Sequence, residues 1–254
     1  MKNITDRHEY ILKKLKENNK VSISDLCEEM NVSNVTIRKD LKVLEDKNLL
    51  FRIKGGASMN NPYAIDRPIL VKETINSDEK NRIARAAVEM IEENDSILIG
   101  SGTTAYAVAR HLSPNHRLTV ITPALKVALE LCNKPNIEVL QLGGLIRQSS
   151  SSVAGQYAMR ILDEVSCGIL FLGVDGIDLE FGITISNLTE ATLNQKMLQT
   201  SQKVVILADS TKFGRRGLGK ICSLEDVDYI ITDQGISQKY VTALEEAGIK
   251  VILV

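Results

Sequence analysis

Tryptophan is absent from this 254-residue chain, and aromatic residues make up only 4% of it. A base-stacking platform for single-stranded nucleic acid needs repeated exposed rings, so that class is not expected. Cysteine is scarce: Cys27, Cys132, Cys167 and Cys222 lie far apart, with no Cys-x-x-Cys spacing. That pattern excludes a small disulfide scaffold and fits a reduced, cytoplasmic protein with buried thiols. No apolar run approaches the ~20 residues of a membrane helix. The opening MKNITDRHEYILKKLKENNK lacks the apolar stretch of a signal peptide, so secretion is not expected. What is present is ordinary for a globular protein, 44% apolar and 25% charged. Such a composition excludes a disordered chain or a collagen. The length allows one large domain or two smaller ones, either able to bury a core without staples.

Charge is divided unevenly. Residues 1–58 hold 12 Lys/Arg and 9 Asp/Glu, whereas residues 59–254 hold 19 and 23. A basic end joined to an acidic body points to a polyanion as partner of the first segment. A net charge of +3 is also what a solvated face would give, so placement of the charges must decide.

Tyr10, Ile11 and Leu15 give helical apolar spacing over roughly residues 5–18, broken at Asn18-Asn19. Ser22-Ile-Ser-Asp25 reads as a capping box opening a short helix that buries Leu26 and Met30. Asn31-Val32 makes a tight turn. Ser33 caps a third helix of about 34–48, with Val35, Ile37, Leu41 and Leu44 expected to face inward. LLFRIKGGA, ending in Gly55-Gly56, is β-prone and suggests a small wing. Two short helices across a tight turn, preceded by a third, make a helix-turn-helix, whose second helix enters the major groove by its N-terminal end. Ser33, Asn34, Thr36, Arg38 and Lys39 lie there. Hydroxyl and amide groups bond phosphates or base edges, and Arg can fork onto guanine. The competing reading is that Ser33 only caps and Arg38 and Lys39 only solvate the helix.

This segment resembles the N-terminal domain of the DeoR family of bacterial transcriptional repressors. The likeness runs through Arg7, Ile11 and Leu15, a gap of residues 16–32, then Ser33 and Thr36-Ile-Arg-Lys-Asp-Leu41. The wing Arg52-Ile-Lys-Gly55-Gly56-Ala57 is similar to the family's Arg-x-His-Gly-Gly-Ala, with Lys54 in place of His. The resemblance implies DNA contacts from Ser33, Asn34, Thr36, Arg38, Lys39, Arg52 and Lys54. Asp40 is expected to face away from DNA and to hold Arg38 or a neighbouring backbone group.

Residues 57–72, ASMNNPYAIDRPILVK, lack periodicity and read as a linker, placed at 59–75 between a DNA-binding domain (1–58) and a larger domain (76–254). From Asn76 onward, helical segments alternate with short β-branched runs: SILIGSG, LTVIT, IEVLQLGG, CGILFLGVDG, KVVILADS, DYIITD and KVILV. This predicts an α/β domain, a mostly parallel sheet with helices on both faces. Ligands in such sheets sit beyond the carboxyl ends of the strands. There lies Gly100-Ser-Gly102-Thr103-Thr104-Ala105, whose backbone NH groups, hydroxyls and helix N-terminus can cradle a phosphate. The run also fits a G-x-G-x-x-A dinucleotide fingerprint, but LTVIT leads into Pro123-Ala124 without the acidic ribose anchor. A purely structural tight turn is the third reading. Other strand ends carry Leu142-Gly143-Gly144, Asp175, Asp178 and Asp209-Ser-Thr-Lys212, and Glu190 opens a helix. Carboxylates suit sugar hydroxyls and Lys212 suits a phosphate. Asp178 reads better as a capped turn. Arg147 with serines 149–152 reads equally as a loop over the site or a solvated loop.

The runs EKNRIA, SGTT, LGG, GVDGI, ADSTKFG and ITD resemble the DeoR family's C-terminal sensor domain, related in fold to ribose-phosphate isomerases and CoA transferases. The resemblance implies a repressor of sugar or carbohydrate metabolism genes that responds to a phosphorylated sugar or related metabolite. It makes Ser101, Gly102, Thr103, Thr104, Gly143, Asp175, Glu190 and Lys212 effector contacts. Thr122-Pro123 stands where the family has Thr-Asn, and Gly155-Gln156 where it often has Gly-Pro. Pro123 offers neither amide side chain nor NH, which implies an effector different from the commonest ones. The expected partners are operator DNA, the effector and further copies of the chain, since one recognition helix reads few base pairs. No cofactor, metal or membrane is expected; His111 and His116 are spaced wrongly for one metal site. The rival reading is a sugar-phosphate isomerase-like enzyme using Asp175, Glu190 and Lys212. A regulator needs no turnover, and no histidine sits at a strand end.

Overall fold

The computed structural model describes residues 3–47, 49–59, 66, 68–92 and 96–254. The chain divides into two compact units, 1–63 and 64–254.

In the first unit α1 (Ile4–Asn18) is followed by β1 (Lys20–Ser22), α2 (Ile23–Met30), α3 (Asn34–Asp46), β2 (Phe51–Ile53) and β3 (Gly56–Ser58). Asn19 and Asn31 end the first two helices in the left-handed conformation, which asparagine adopts more readily than most residues. Ile11, Leu15, Leu26, Met30, Ile37, Leu41 and Leu44 form the core between the three helices. Val35 is not part of it: this side chain is 62% exposed. The inward stripe of α3 is 37, 40, 41 and 44, and residue 35 lies about 200° around the helix from 37. Ser22 caps α2 through the NH of Ser24 at 3.1 Å, a simple cap in place of the expected box with Asp25. The strands form one antiparallel sheet, order β1-β3-β2. A Cβ on Gly56 would lie 1.9 Å from the Val21 carbonyl oxygen, so glycine is required where the wing crosses β1.

Asp40 is buried and paired with Arg7, not with Arg38. The fork is bidentate, Nε–Oδ2 2.7 Å and Nη2–Oδ1 2.9 Å, and His8 Nε2 lies 3.3 Å from Oδ1. Two charged residues of the sequence motif thus clamp α1 to α3 and fix the face that α3 presents.

The second unit begins with α4 (Ile69–Glu73) and α5 (Ser77–Val88). β4 (Ser96–Ile99), α6 (Thr103–His111), β5 (Leu118–Thr122), α7 (Leu125–Leu131) and β6 (Ile137–Gln141) follow. Next come β7 (Leu145–Arg147), β8 (Ser152–Ala154), α8 (Gln156–Leu162), β9 (Cys167–Gly173), β10 (Gly176–Asp178), β11 (Gly182–Ile185) and α9 (Leu188–Thr200). The chain ends with β12 (Ser201–Leu207), β13 (Gly219–Cys222), β14 (Tyr229–Thr232), α10 (Gln238–Glu246) and β15 (Lys250–Leu253). Seven strands form one parallel sheet, order β15-β14-β12-β9-β4-β5-β6. Successive strand residues point to opposite faces. In β9, Ile169 and Phe171 join α5, α6 and α7 on one side, while Leu170 and Leu172 join α8 and α9 on the other. Both faces are therefore apolar, as a covered parallel sheet demands. The chain runs β4-β5-β6 in one direction and then returns to β9 on the other side of β4. The crevice between the ends of β4 and β9 is the topological switch point, where ligands of such sheets bind.

Two small antiparallel elements escape the sequence pattern. β7 and β8 form a hairpin, and β10, β11 and β13 form a three-stranded sheet. Their strands are three or four residues long, too short for periodicity to register. The predicted linker also carries structure, because α4 lies within it; its residues 60–65 and 67 lie outside the described residues, as do Asn48 of the third predicted helix and residues 93–95. Among the described residues, no helix is long and apolar enough to cross a membrane.

Candidate functional site

On the first unit, the N-terminal end of α3 gathers the predicted DNA contacts. Ser33 accepts a hydrogen bond from the Thr36 NH at 3.2 Å, and the two hydroxyls lie 3.0 Å apart. These groups hold the start of the helix. Asn34 Oδ1 accepts the Cys27 thiol at 3.2 Å. Asn34, Val35, Arg38 and Lys39 are all exposed. Val35, expected in the core, stands on the same exposed end, where an apolar side chain can meet a thymine methyl. On the wing, Lys54 is exposed. Arg52 is held against Glu45: its NH and Nε donate to the two carboxylate oxygens at 2.9 and 2.6 Å. The backbone and side-chain bonds from Arg52 hold the Glu45 carboxyl below its ordinary value.

The second unit has a cavity at the switch point. Ser101, Gly102, Thr103 and Thr104 enter it after β4, Asp175 after β9, Glu190 from α9 and Lys212 after β12. Gly102 caps α6 with φ +104° and provides no side-chain cap, so the first NH groups of the helix stay available to an anion. A Cβ on Gly173 would come within 3.2 Å of the Ser101 carbonyl oxygen, so the two strand ends approach closely. Gly143 is not in the cavity; it is exposed and faces open space. It follows the edge strand β6, separated from β4 by β5. Pro123 is not there either. Its carbonyl accepts the Val153 NH at 2.9 Å, so it holds the β7–β8 hairpin in place.

The carboxylates are already engaged. Asp175 takes Lys72 Nζ at 2.8 Å on Oδ1, and the NH and hydroxyl of Ser186 at 3.0 and 2.6 Å on Oδ2. Burial alone would raise its pKa, but the Lys72 charge and hydrogen bond, Ser186 and Lys212 together hold it below the usual carboxylate value. Glu190 Oε2 meets Arg147 Nη1 at 2.7 Å, and the Ser152 hydroxyl donates to Oε1 at 3.3 Å. Arg147 also binds Asp66 at 2.8 Å. The serine run is therefore neither a free nor a purely solvated loop: Ser149 and Ser150 line the cavity. Asp178 stays outside, accepting the Glu180 and Phe181 NH groups at 3.0 Å, as a capped turn does.

Two lysines of the cavity, Lys212 and Lys80, have no carboxylate partner among the described residues. Lys212 forms no ion pair or side-chain hydrogen bond among the described residues; burial lowers its pKa against the charges of Asp209 and Asp175. Lys80 donates to the carbonyl oxygens of Lys72 and Ile75 at 2.6 and 2.5 Å. Burial pushes its ammonium down to about 8, opposed by Asp209 and aided by Lys212 and Lys72. Lys72 and Lys80 were not predicted as contacts; Asp209 was predicted only as part of the strand-end run that carries Lys212. Lys80 had a readable sign, since it sits on the inward stripe 80, 83, 84, 87 of α5, otherwise Ile and Ala. Lys72, on a helix of five residues, had none.

Residues 75–234 match the DeoR C terminal sensor domain and residues 7–63 the DeoR-like helix-turn-helix domain. The chain is 35% identical to a protein of Escherichia coli O157:H7 named as a transcriptional repressor of the aga operon, covering 98% of this chain and 94% of that one. It is 30% identical to the glycerol-3-phosphate regulon repressor of Escherichia coli K12, over 90% of each chain. Among solved structures, ribose 5-phosphate isomerase A of Methanocaldococcus jannaschii is similar with a TM-score of 0.41 and 19% identity, over 54% of this chain and 55% of that one.

Proposed function

The chain belongs to the DeoR family of transcriptional regulators, a DNA-binding regulator and not an enzyme, and we propose that its operator affinity is set by a phosphorylated sugar or polyol held in the cavity at the switch point. The observation that carries this reading is the convergence of an uncapped helix N-terminus, Gly102–Thr104, with Lys212 and Lys80 in one cavity. Backbone NH groups and ammonium groups together suit a phosphate. Hydroxyls of the same ligand would meet Ser101, Ser150 and the carboxylates of Asp175 and Glu190. The relatives named for repression of the aga operon and of a glycerol-3-phosphate regulon support a carbohydrate-linked role.

On the DNA side, Asn34, Val35 and Arg38 read the major groove while Lys39, Lys54 and the wing contact phosphate. Two recognition helices on a symmetric oligomer would read paired half-sites. The effector shifts the protein between states of unequal operator affinity, by as much as its affinities for those states differ.

The isomerase-like alternative requires a free carboxylate base. Asp175 and Glu190 are each held by a cation and a hydroxyl, which disfavours that role.

The test is a thermal-shift screen against phosphorylated sugars and polyols alongside their unphosphorylated parents. A ligand that binds only the native state must raise the melting temperature. A rise with a phosphorylated compound, absent with its parent and lost in Lys212→Ala, is the expected result. No rise with any compound would refute the effector class.

A further inference from the structure

The stretch between the two family matches, residues 64–74, belongs to neither. Its described part nevertheless walls the cavity, through Asp66, Ile69 and Lys72. It is fastened at several points. Asp66 pairs with Arg147, the Ile69 NH donates to the Ser149 carbonyl at 2.7 Å, and Glu73 pairs with Lys126. Lys72 pairs with Asp175, and Lys80 donates to the carbonyl oxygens of Lys72 and Ile75. The last two fastenings use charges of the cavity itself.

The Lys72–Asp175 pair is unequal. Asp175 would keep both hydrogen bonds from Ser186 if Lys72 left. Lys72 is the more exposed partner, 25% against 11% by side chain. A phosphate monoester carries roughly −1.5 to −2 charge and three acceptor oxygens at pH 7, more than a carboxylate offers. Bound near Thr103 and Lys212, it competes with Asp175 for the same ammonium. In sequence, the segment bearing Lys72 is what joins the sensor to the DNA-binding unit.

We propose that residues 68–75 form a strap whose Lys72 is an effector contact, and that transfer of its ammonium from Asp175 to the anionic group of the ligand couples cavity occupancy to the chain leading from the DNA-binding unit. This rests on the cavity being the effector site. The ligand class it fits is a phosphate monoester of a sugar or polyol, because a neutral sugar gives Lys72 no reason to leave a carboxylate.

Hydrogen-exchange mass spectrometry on the full chain tests it. The probes are glycerol 3-phosphate, pentose 5-phosphates and hexose 6-phosphates, taking whichever raises the melting temperature most. The expected result is slowed exchange in both 101–105 and 68–75. In parallel, Lys72→Met should bind that compound roughly tenfold or more weakly, the loss of one charge-assisted hydrogen bond. Lys72→Arg should restore most of the affinity. Slowed exchange at 101–105 alone, or wild-type affinity in Lys72→Met, overturns the strap while leaving the effector site standing. No probe slowing exchange at 101–105 overturns the effector reading, and the strap with it. If Lys72→Met fails to fold, the exchange pattern of the wild-type chain decides.

Discussion

Arg38 and Arg7 show how differently one residue type is used within a small unit. Arg38 is exposed near the N-terminal end of α3; Arg7 is buried in a fork with Asp40. Arg38→Ala should therefore weaken binding to DNA selected by the wild-type protein, by about 1–3 kcal/mol if it reads a guanine, without lowering the melting temperature. Equal binding of variant and wild type in an anisotropy titration would remove Arg38 from the interface. Arg7→Met should act on stability first. It leaves Asp40 without its main partner and should cost about 2 kcal/mol in chemical denaturation, between the values for exposed and fully buried pairs. Both arginines stand in the sequence motif, where Arg38 reads as a DNA contact and Arg7 is given no partner. Only the fold shows that one faces solvent and the other clamps two helices.

Helix α5 brings a single charge, Lys80, into an apolar interface at the cavity wall. The folded pKa of about 8 lies below the ordinary lysine value of 10.5. Between those values the unfolded chain binds more protons, so this group makes stability rise as pH climbs from about 8. Anion binding responds with the opposite sign, because the neutral amine no longer attracts a phosphate. Affinity for a phosphorylated ligand should thus begin to fall as pH passes about 8, while the melting temperature of the free protein does not fall through Lys80. Calorimetric titrations across that range check it, and a Lys80→Met variant should flatten the profile. Asp175 works at the acid end. Its pKa is held below the unfolded value, so its contribution is present above that value and is lost as pH drops through the folded one.

At the scale of the whole molecule, the proposed function gives the two compact units separable tasks. Lys212→Ala should abolish ligand-induced stabilisation yet leave operator affinity unchanged, measured on the same preparation. Loss of both together would mean that Lys212 is structural. Operator affinity should fall steeply with salt, since phosphate contacts release counterions; Lys39→Ala should reduce the slope of log K against log salt by about 1. A slope unchanged by that substitution would exclude a phosphate contact at Lys39.

The sequence by itself determined the helices of the DNA-binding unit, the seven strands of the parallel sheet and the loop Ser101–Thr104. Each of these follows from local chemistry: apolar period, capping hydroxyls, β-branched runs and glycine at φ values other residues avoid. The tertiary structure decided which strand ends meet. Gly143 and the Ser101 loop look alike in sequence, yet strand order places one at an edge and the other at the switch point. It likewise decided that Asp40 meets Arg7, 33 positions away, and that Lys72 reaches Asp175 across 103. A charge carries no local mark of its partner. The pairing is fixed only when the packed core brings two distant backbones within a few ångströms and removes the water that would otherwise solvate both.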